Sequence, residues 1–313
     1  MQRLTVAICT YNRGELLPPL IAALRRQHCP IPFDILVVDN NSSDSTQAIL
    51  RQLASEQGVP LRYVREASQG ITFARNRAID ECLDAEYMAF IDDDEIPDEG
   101  WLEAMCSGLC QDEADCVGGR IIVDLSGFPR PKWLSDELLG FLGELDYGGM
   151  ALWIRDLSTP IWSGNVAYRM SLFKGSDLRF DARYNRAGTG VGGGEDAIMF
   201  RALIARGARI RYRPDMAIRH RVEPAKLRRR YFLRLHFLAG RKSGQYGPMT
   251  YQRTVLGVPP FMVMQVLRHV IKTLGMILTR KPAALRQAMN AAHASGLVFG
   301  RFLQRKRVNG LHD

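Results

Sequence analysis

The sequence predicts an α/β fold in which a mostly parallel sheet carries helices on both faces, followed by a basic, largely helical C-terminal region. In the N-terminal part, short apolar runs alternate with segments of helical periodicity, which is the pattern of parallel βαβ units. The charge is unevenly divided. Residues 1–200 hold 18 Lys and Arg against 30 Asp and Glu, a net charge of −12, whereas residues 201–313 hold 24 against 3, a net charge of +21. This division indicates two tasks: an acidic part suited to a metal or a reaction site, and a basic part that faces something anionic.

Four apolar runs near the N-terminus are predicted strands, each followed by a predicted helix. The strands cover residues 4–9, 33–39, 61–64 and 87–91, and the helices cover about 16–27, 44–57, 71–82 and 99–109. In parallel sheets, ligands lie outside the carboxyl ends of the strands. Three of these runs end there in polar residues, namely Thr10, Asp39 and the acidic run 92–94.

The rest of the chain is less regular. Strands are predicted at 117–124, 161–169, 209–213 and 217–220, with a helix at 194–206 and a loop-rich stretch at 125–160 that contains many Gly, Pro and Trp. From Pro224 onward the pattern is helical and basic. We therefore predict one domain over 1–222 and a C-terminal region over 223–313.

The six cysteines form no CxxC pair, and no histidine completes a zinc set around the 106/110 spacing. Free thiols in a reducing compartment are the expected state. The N-terminal apolar run is too short for a signal peptide and lacks a small-residue cleavage site. These two features predict a cytoplasmic protein.

The acidic run Asp92, Asp93 and Asp94 follows a buried strand. In an extended segment, residues i and i+2 point the same way, so Asp92 and Asp94 are expected to converge on one ion while Asp93 points elsewhere. Hard oxygen ligands suit Mg²⁺ or Mn²⁺, and Mg²⁺ sites commonly combine one or two carboxylates with substrate phosphates. A solvated acidic loop, or caps for the following helix, remain alternatives.

Two helices that begin directly after a glycine are candidate parts of a functional site. Gly70 precedes a helix that carries Arg75 and Arg77, where free N–H groups favour an anion; an ordinary basic helix face is the alternative. In the second, glycines precede Glu195 and Asp196, either of which can act as a general base near neutral pH. The alternative there is simple charge complementation of the helix N-terminus.

Two further features are weaker indications of a site. The stretch 188–193 fits GxGxxG, but no strand precedes it, so it does not indicate a dinucleotide site. His220 ends a short predicted strand between two arginines, which favour the neutral, metal-binding imidazole, although a lone histidine is more often structural.

The C-terminal region contains a long apolar stretch at 255–278. It is long enough to span a membrane, which takes about 20 apolar residues. However, Arg268, His269 and Lys272 lie in its middle, where charges are costly. An interfacial amphipathic helix on an anionic membrane is the prediction, and a packed helical subdomain with a solvated basic face is the alternative. Few aromatic residues stand beside the cations, so nucleic acid is not an expected partner.

Six stretches in order resemble glycosyltransferase family 2, which has the GT-A fold. They are VAICTYNR at 6–13, VVDNNSSDST at 37–46, QGITFARNRAI at 69–79, FIDDDE at 90–95, SGNVAYR at 163–169 and GGEDAIMFRAL at 193–203. The resemblance covers residues 3–221 and is strongest to bacterial enzymes that build exopolysaccharide or lipopolysaccharide. A nucleotidyltransferase is a competing interpretation, but it would need a glycine-rich, lysine-bearing loop where this chain has TYNRGE.

The resemblance implies an inverting, metal-dependent transfer of a sugar, with Mg²⁺ or Mn²⁺ as the cofactor. Asp196 is implied as the catalytic base and Glu195 as its support, while Asp94, with Asp92 and His220, is implied to bind the metal. The residues implied to contact the nucleotide sugar are Thr10, Tyr11, Asn12, Arg13, Asp39, Asn41, Gly70, Arg75, Asp92 and Asp93. Those implied near the sugar or the acceptor are Trp162, Gly164, Asn165 and Gly194.

The resemblance also implies the partners and refines the domains. Residues 1–124 are expected to bind the nucleotide and 125–222 to face the acceptor, although 125–160 shows no family pattern. The expected partners are a nucleotide-sugar donor, which is usually UDP-linked in the family, and a saccharide or lipid-linked acceptor. An anionic membrane is expected to contact 223–313, which places the protein peripherally on the cytoplasmic face of the inner membrane.

Overall fold

The computed structural model describes residues 3–187, 194–248, 251 and 253–309, with side chains described up to residue 305. The chain forms two compact units. The first comprises residues 1–130, 134–188 and 195–222, and the second comprises 131–133, 189–194 and 223–313. The GxGxxG match at 188–193 lies outside the described residues.

The first unit alternates strands and helices. Its strands are β1 (Leu4–Thr10), β2 (Phe33–Asp39), β3 (Leu61–Arg65), β4 (Tyr87–Ile91), β5 (Glu95–Pro97), β6 (Cys116–Asp124), β7 (Leu152–Ile154), β8 (Asn165–Arg169) and β9 (Ile210–Arg221). Its helices are α1 (Leu17–Arg25), α2 (Thr46–Ser55), α3 (Ile71–Glu81), α4 (Trp101–Cys106) and α5 (Glu195–Ala205).

These strands form one sheet in the order β3-β2-β1-β4-β8-β6-β9-β5, with β7 paired to β9. Strands β3, β2, β1 and β4 are mutually parallel, as the alternating pattern predicts, and β6 runs parallel to β9. Every residue of β1 is buried, which is expected of a strand covered on both faces. The register pairs Thr10 with Asp39, so the polar ends of β1 and β2 lie side by side at one edge.

Several predicted elements differ from the structure. The strands predicted at 209–213 and 217–220 are one continuous strand, β9, which contains Pro214 and pairs with β6 across a register shift between Gly119 and Ile121. A proline can stay within a strand where a bulge interrupts the ladder. The strand predicted at 161–169 begins only at Asn165, and the helix predicted at 99–109 ends at Cys106 in a π-helical turn over Ser107–Gln111.

The α-helices in the described residues of the second unit are α6 (Arg229–Tyr246), α7 (Pro260–Leu278) and α8 (Ala284–Asn309). Helices α6 and α8 touch backbone to backbone through two glycines on each. A Cβ added to Gly240 or Gly244 would lie 2.1–2.2 Å from a carbonyl oxygen of α8, and one added to Gly296 or Gly300 would lie 2.0–2.1 Å from a carbonyl oxygen of α6. Both pairs are spaced as small-xxx-small, a pattern that permits such close approach.

Helix α7 packs on α8 with its more polar side. Thr273 is buried, and the ring of His269 is 2.9 Å from the side-chain nitrogen of Gln287. Its opposite side exposes large apolar residues, among them Leu267, Ile271 and Leu274. Within the described ranges, α7 is the one helix long and apolar enough to cross a membrane, with a mean hydropathy of 1.4 over a window that is 6% buried.

Candidate active site

The acidic run 92–94 forms a turn at the carboxyl end of β4. The N–H of Glu95 donates to the carbonyl of Asp92 at 3.2 Å. The predicted extended geometry is therefore wrong, because a turn removes the alternation that would have paired Asp92 with Asp94. Instead, Arg13 Nη1 donates to Asp93 at 3.0 Å and to Asp94 at 3.1 Å.

The side chain of Asp93 is hydrogen-bonded to the end of β1. Thr10 Oγ1 donates to Asp93 Oδ2 at 2.8 Å, so the last residue of β1 and the acidic turn are directly joined. Burial raises the pKa of Asp93 to about 7, and the charge of Asp94 adds to the increase while Arg13 opposes it. A carboxyl group with such a pKa changes charge close to neutral pH.

Glu95 supports the turn from within, a role that the sequence analysis did not assign. Its Oε2 accepts the N–H of Asp92 at 2.8 Å, and the residue is 3% exposed. Burial, followed by the charges of Asp92 and Asp94, raises its pKa well above the ordinary value. Gly164 lies against this group, since a Cβ there would be 2.6 Å from Glu95 Oε1. The predicted sugar-side residue Gly164 therefore does adjoin the acidic turn.

Arg75 on α3 connects the acidic turn to the start of α5. It is 3% exposed, and it donates to Asp196 at 2.6 Å, to Asp92 at 3.2 Å and to Glu195 at 3.4 Å. Burial alone would lower the pKa of Arg75, but the neighbouring carboxylates, Asp196 foremost, outweigh it and raise that pKa. Predicted nucleotide-binding and catalytic residues far apart in the sequence thus meet at one guanidinium group.

Glu195 is almost as buried as Arg75. Among the described side chains its Oε2 has no hydrogen-bond partner. Burial raises the pKa of Glu195, the charge of Asp196 adds to this, and Arg75 opposes it. Gly194, directly before it, is exposed and has a φ of +94°, a conformation that favours glycine.

The loops after β1 and β2 are tied to each other. Ser42 donates its N–H to Asp39 Oδ1 at 2.9 Å and accepts the N–H of Asn12 at 2.9 Å. Asn12 and Asn41 have φ values of +51° and +64°, a left-handed conformation that asparagine tolerates better than most residues. Tyr11, between Thr10 and Asn12, is half-buried. The predicted nucleotide-binding residues of both loops therefore lie on one edge of the sheet.

Asn40 is a second residue to which the sequence analysis gave no role. Its side chain donates to the carbonyl of Ser68 at 2.7 Å and accepts the N–H of Gly70 at 2.7 Å. Gly70 has a φ of +138°, and a Cβ there would lie 2.0 Å from the amide of Asn185. The positive φ of Gly70 favours glycine there, the amide of Asn185 fills the space beside it, and its N–H is directed to Asn40. The signal available in the sequence was the position of Asn40 directly after a buried strand.

The side chain of Asn165 is hydrogen-bonded to three other segments of the protein. It is 1% exposed, its Nδ2 donates to the carbonyls of Arg120 and Met216 at 2.9 and 2.8 Å, and its Oδ1 accepts the indole N–H of Trp101 at 2.8 Å. Both amide hydrogens are therefore used within the protein. The half-buried Trp162 accepts the N–H of Asn165 through its carbonyl at 3.1 Å.

His220 reaches the acidic turn through strand pairing. It lies opposite Glu95 in the β5–β9 ladder, and its Nε2 is 3.7 Å from Asp94 Oδ1. Its Nδ1 is buried and lacks a hydrogen-bond partner among the side chains described. Over the same part of the chain, no three His, Cys, Asp or Glu side chains are arranged to hold a metal ion.

Negative charge exceeds positive charge at this edge of the sheet. In the described residues, the guanidinium groups of Arg13, Arg75 and Arg186 act on a set of six carboxyl groups. These belong to Asp92, Asp93, Asp94, Glu95, Glu195 and Asp196. Such an excess is relieved by protonation, as the raised pKa values indicate, or by a further cation.

A family model described as glycosyl transferase family 2 matches residues 5–175, which is more than half of the chain and includes β1, β2, β4 and the acidic turn. The chain belongs to glycosyltransferase family 2. It is therefore a glycosyltransferase, as the sequence stretches predicted.

Individual relatives of this glycosyltransferase are distant. Succinoglycan biosynthesis protein ExoM of Rhizobium meliloti is 23% identical over 242 residues, which are 77% of this chain and 74% of that protein. Glycosyltransferase AglE of Haloferax volcanii is 33% identical over 118 residues, 37% of this chain and 38% of that protein.

Solved structures show the same fold. The crystal structure of S. aureus TarS residues 1–349 in complex with UDP matches with a TM-score of 0.55 and 18% identity, over 99% of this chain and 92% of that one. The predicted fold class, a GT-A type α/β sheet with helices, is thereby confirmed.

Proposed function

We propose that this glycosyltransferase moves a sugar from a nucleotide-sugar donor, UDP-linked, to a hydroxyl group of a saccharide or lipid-linked acceptor in bacterial cell-surface polysaccharide synthesis. The observation that carries the proposal is the ion-pair network in which buried Arg75 joins Asp92 of the acidic turn to Asp196 at the start of α5. It brings a predicted donor site and a predicted base to one place. The names of ExoM, a succinoglycan biosynthesis protein, and of the UDP-bound TarS support the acceptor class and the donor.

The chain's own residues fit a divalent cation. Asp94 and His220 Nε2 supply an oxygen and a nitrogen 3.7 Å apart, and His220 Nδ1 is committed to no other described group. The Asp94 carboxylate together with substrate phosphates suits Mg²⁺ or Mn²⁺, and an imidazole ligand favours Mn²⁺, the softer of the two cations. When bound, the cation would neutralise charge on the departing diphosphate. Arg13 donates to both Asp93 and Asp94, and it would have to move away from Asp94 when the cation binds.

We assign the proton transfer to Asp196. Its carboxylate accepts the proton of the acceptor hydroxyl while that oxygen bonds to the anomeric carbon. The bond from that carbon to the diphosphate breaks, and the nucleoside diphosphate leaves with its electron pair. Because attack and departure occur on opposite faces, a single displacement inverts the configuration, so that an α-linked donor yields a β-glycoside. Arg75 orients Asp196, and Glu195 accepts from the same guanidinium group.

A panel of nucleotide sugars tests this function. We expect release of free UDP from at least one UDP-sugar in the presence of acceptor saccharides and Mn²⁺, and little release from GDP- or dTDP-sugars. Pyrophosphate release from a nucleoside triphosphate with a sugar phosphate would instead identify a nucleotidyltransferase. The readout is the nucleotide product, resolved by chromatography.

We further propose that the C-terminal region binds an anionic membrane through α7, peripherally and from the cytoplasmic side. Of the 18 large apolar side chains exposed in the described residues, 13 lie between residues 251 and 299. The turn before α7 adds to this surface with Val255 and Leu256, which are 66% and 58% exposed. The exposed cations Arg268 and Lys272 lie beside this apolar surface, where they can contact anionic lipid headgroups. A lipid-linked acceptor would explain the attachment.

The double substitution Leu267→Gln/Ile271→Gln is expected to weaken binding to phosphatidylglycerol vesicles by about tenfold or more, because each apolar side chain contributes about 1.5–3 kcal/mol when fully buried. Flotation of the protein with vesicles measures the bound fraction. Met150→Gln, which alters an 82% exposed apolar residue of the first unit, is the matched control and should bind like the wild type. Equal binding of the double variant would refute the surface, and resistance to alkaline carbonate extraction would indicate a spanning helix instead.

A further inference from the structure

Three consecutive residues after α1 contact α4 or the residues just before it. Gln27 donates to the carbonyl of Asp98 at 2.9 Å, and its Oε1 accepts the N–H of Leu102 at 3.4 Å, so its amide caps the start of α4. One residue later, His28 Nδ1 lies 2.6 Å from Glu103 Oε1. The segment after α1 is therefore aligned with α4 by side-chain contacts at successive positions.

The third contact in this series is between two thiols. Cys29 Sγ lies 3.8 Å from Cys106 Sγ at the end of α4. The contacts of Gln27 and His28 join the same two segments just before Cys29. They therefore keep the two sulfur atoms near each other. A disulfide needs an S–S distance of about 2.05 Å, so the sulfur atoms have to approach by less than about 2 Å.

The two thiols are chemically unequal. A hydrogen bond from Cys106 is the main cause that lowers the pKa of Cys29 to about 7, against the opposing effect of burial. The same hydrogen bond and burial raise the pKa of Cys106. Cys29 is half-buried, whereas Cys106 is 4% exposed. Cys29 is therefore the more accessible thiol with the greater thiolate character, as expected of an attacking thiol. Cys106 is buried and has less thiolate character, which fits the role of a resolving thiol.

We propose that Cys29 and Cys106 are a modification site at which a peroxide oxidant forms a reversible disulfide. The Cys29 thiolate attacks one peroxide oxygen, the O–O bond breaks, and hydroxide leaves, giving a sulfenic acid on Cys29. The sulfur of Cys106 then attacks that of Cys29, forming the S–S bond and releasing water. The two thiols lose two electrons, and one hydrogen peroxide becomes two waters. A small thiol such as glutathione reverses the reaction by exchange.

The link would fix α4 to the segment after α1. Helix α4 begins a few residues after the acidic turn, and its Trp101 bonds to Asn165. Joining residues 29 and 106 restricts the unfolded chain over a long loop, which stabilises the folded state.

Peptide mapping of the purified, full-length protein after treatment with hydrogen peroxide tests the site. We expect an intact mass lower by about 2 Da, from the two hydrogen atoms lost, a crosslinked peptide containing Cys29 and Cys106, and recovery of the original mass with dithiothreitol. The oxidised protein should also melt several degrees higher than the reduced protein. Cys29→Ser and Cys106→Ala should lose both effects.

Cys110→Ser is the matched control, because Cys110 is half-buried and lies one turn beyond Cys106. This variant should form the same crosslink and show the same rise in melting temperature. A Cys106–Cys110 crosslink, or oxidation of Cys29 to sulfinic acid without any crosslink, would overturn the proposal. Unchanged melting of a fully crosslinked protein would overturn the stabilising effect.

Discussion

Asp196→Asn is expected to slow sugar transfer by about 10²–10⁴-fold, the usual contribution of a general base, while leaving UDP binding close to that of the wild type. The amide keeps the shape of the carboxylate and can still accept a hydrogen bond from Arg75, but it cannot take the proton of the acceptor. The rate of UDP release at saturating donor and acceptor, together with UDP affinity by calorimetry, measures the two effects separately.

Asp177→Asn is the control for this substitution. Asp177 also pairs with an arginine, Arg206, but its side chain is 92% exposed, so its loss should not alter turnover. Full turnover by Asp196→Asn would exclude Asp196 as the base. Loss of turnover in Glu195→Gln alone, with Asp196→Asn active, would transfer the assignment to Glu195.

Removal of divalent cations with a chelator is expected to reduce turnover to background, and Mn²⁺ or Mg²⁺ should restore it. The physical reason is the carboxylate excess around the acidic turn, to which a donor diphosphate would add further negative charge. Electron paramagnetic resonance of Mn²⁺ in the presence of UDP gives a readout that does not depend on catalysis. Asp94→Asn is expected to weaken Mn²⁺ binding by at least about 10-fold.

Glu99→Gln is the matched variant, since Glu99 is an exposed acid close to the same turn. It should bind Mn²⁺ as the wild type does. Turnover that survives the chelator would remove the cation from the proposed reaction. Equal Mn²⁺ binding by Asp94→Asn and the wild type would instead move its site away from Asp94.

The importance of Arg75 lies in the number of charges it balances. A buried guanidinium that contacts three carboxyl groups cannot be lost without leaving those groups uncompensated, which is costly in a protein interior. The same arginine was expected to contact the nucleotide, and that expectation stays a prediction. Arg75 also donates to Asp196, so under the proposed mechanism we expect substitutions at Arg75 to affect both donor binding and catalysis.

Local sequence was sufficient for the parallel half of the sheet and for the position of three polar strand ends at one edge of it. The runs that form β1, β2 and β4 are mostly apolar because both faces of a covered sheet exclude water, and this signal is readable without a structure. The polar residues at their ends follow from the direction of parallel strands, which brings carboxyl ends together. Thr10, Asp39 and the acidic run were therefore placed at one edge from the sequence alone.

Only the tertiary structure decided which side chains meet. It turned the acidic run so that Asp93 and Asp94 share Arg13, placed Arg75 against Asp196, and directed both amide hydrogens of Asn165 into the framework. Periodicity reports whether a residue is buried, because burial depends on the local pattern of apolar and polar positions. The identity of a polar partner depends on packing between segments that are distant in the chain, and no local pattern encodes that choice.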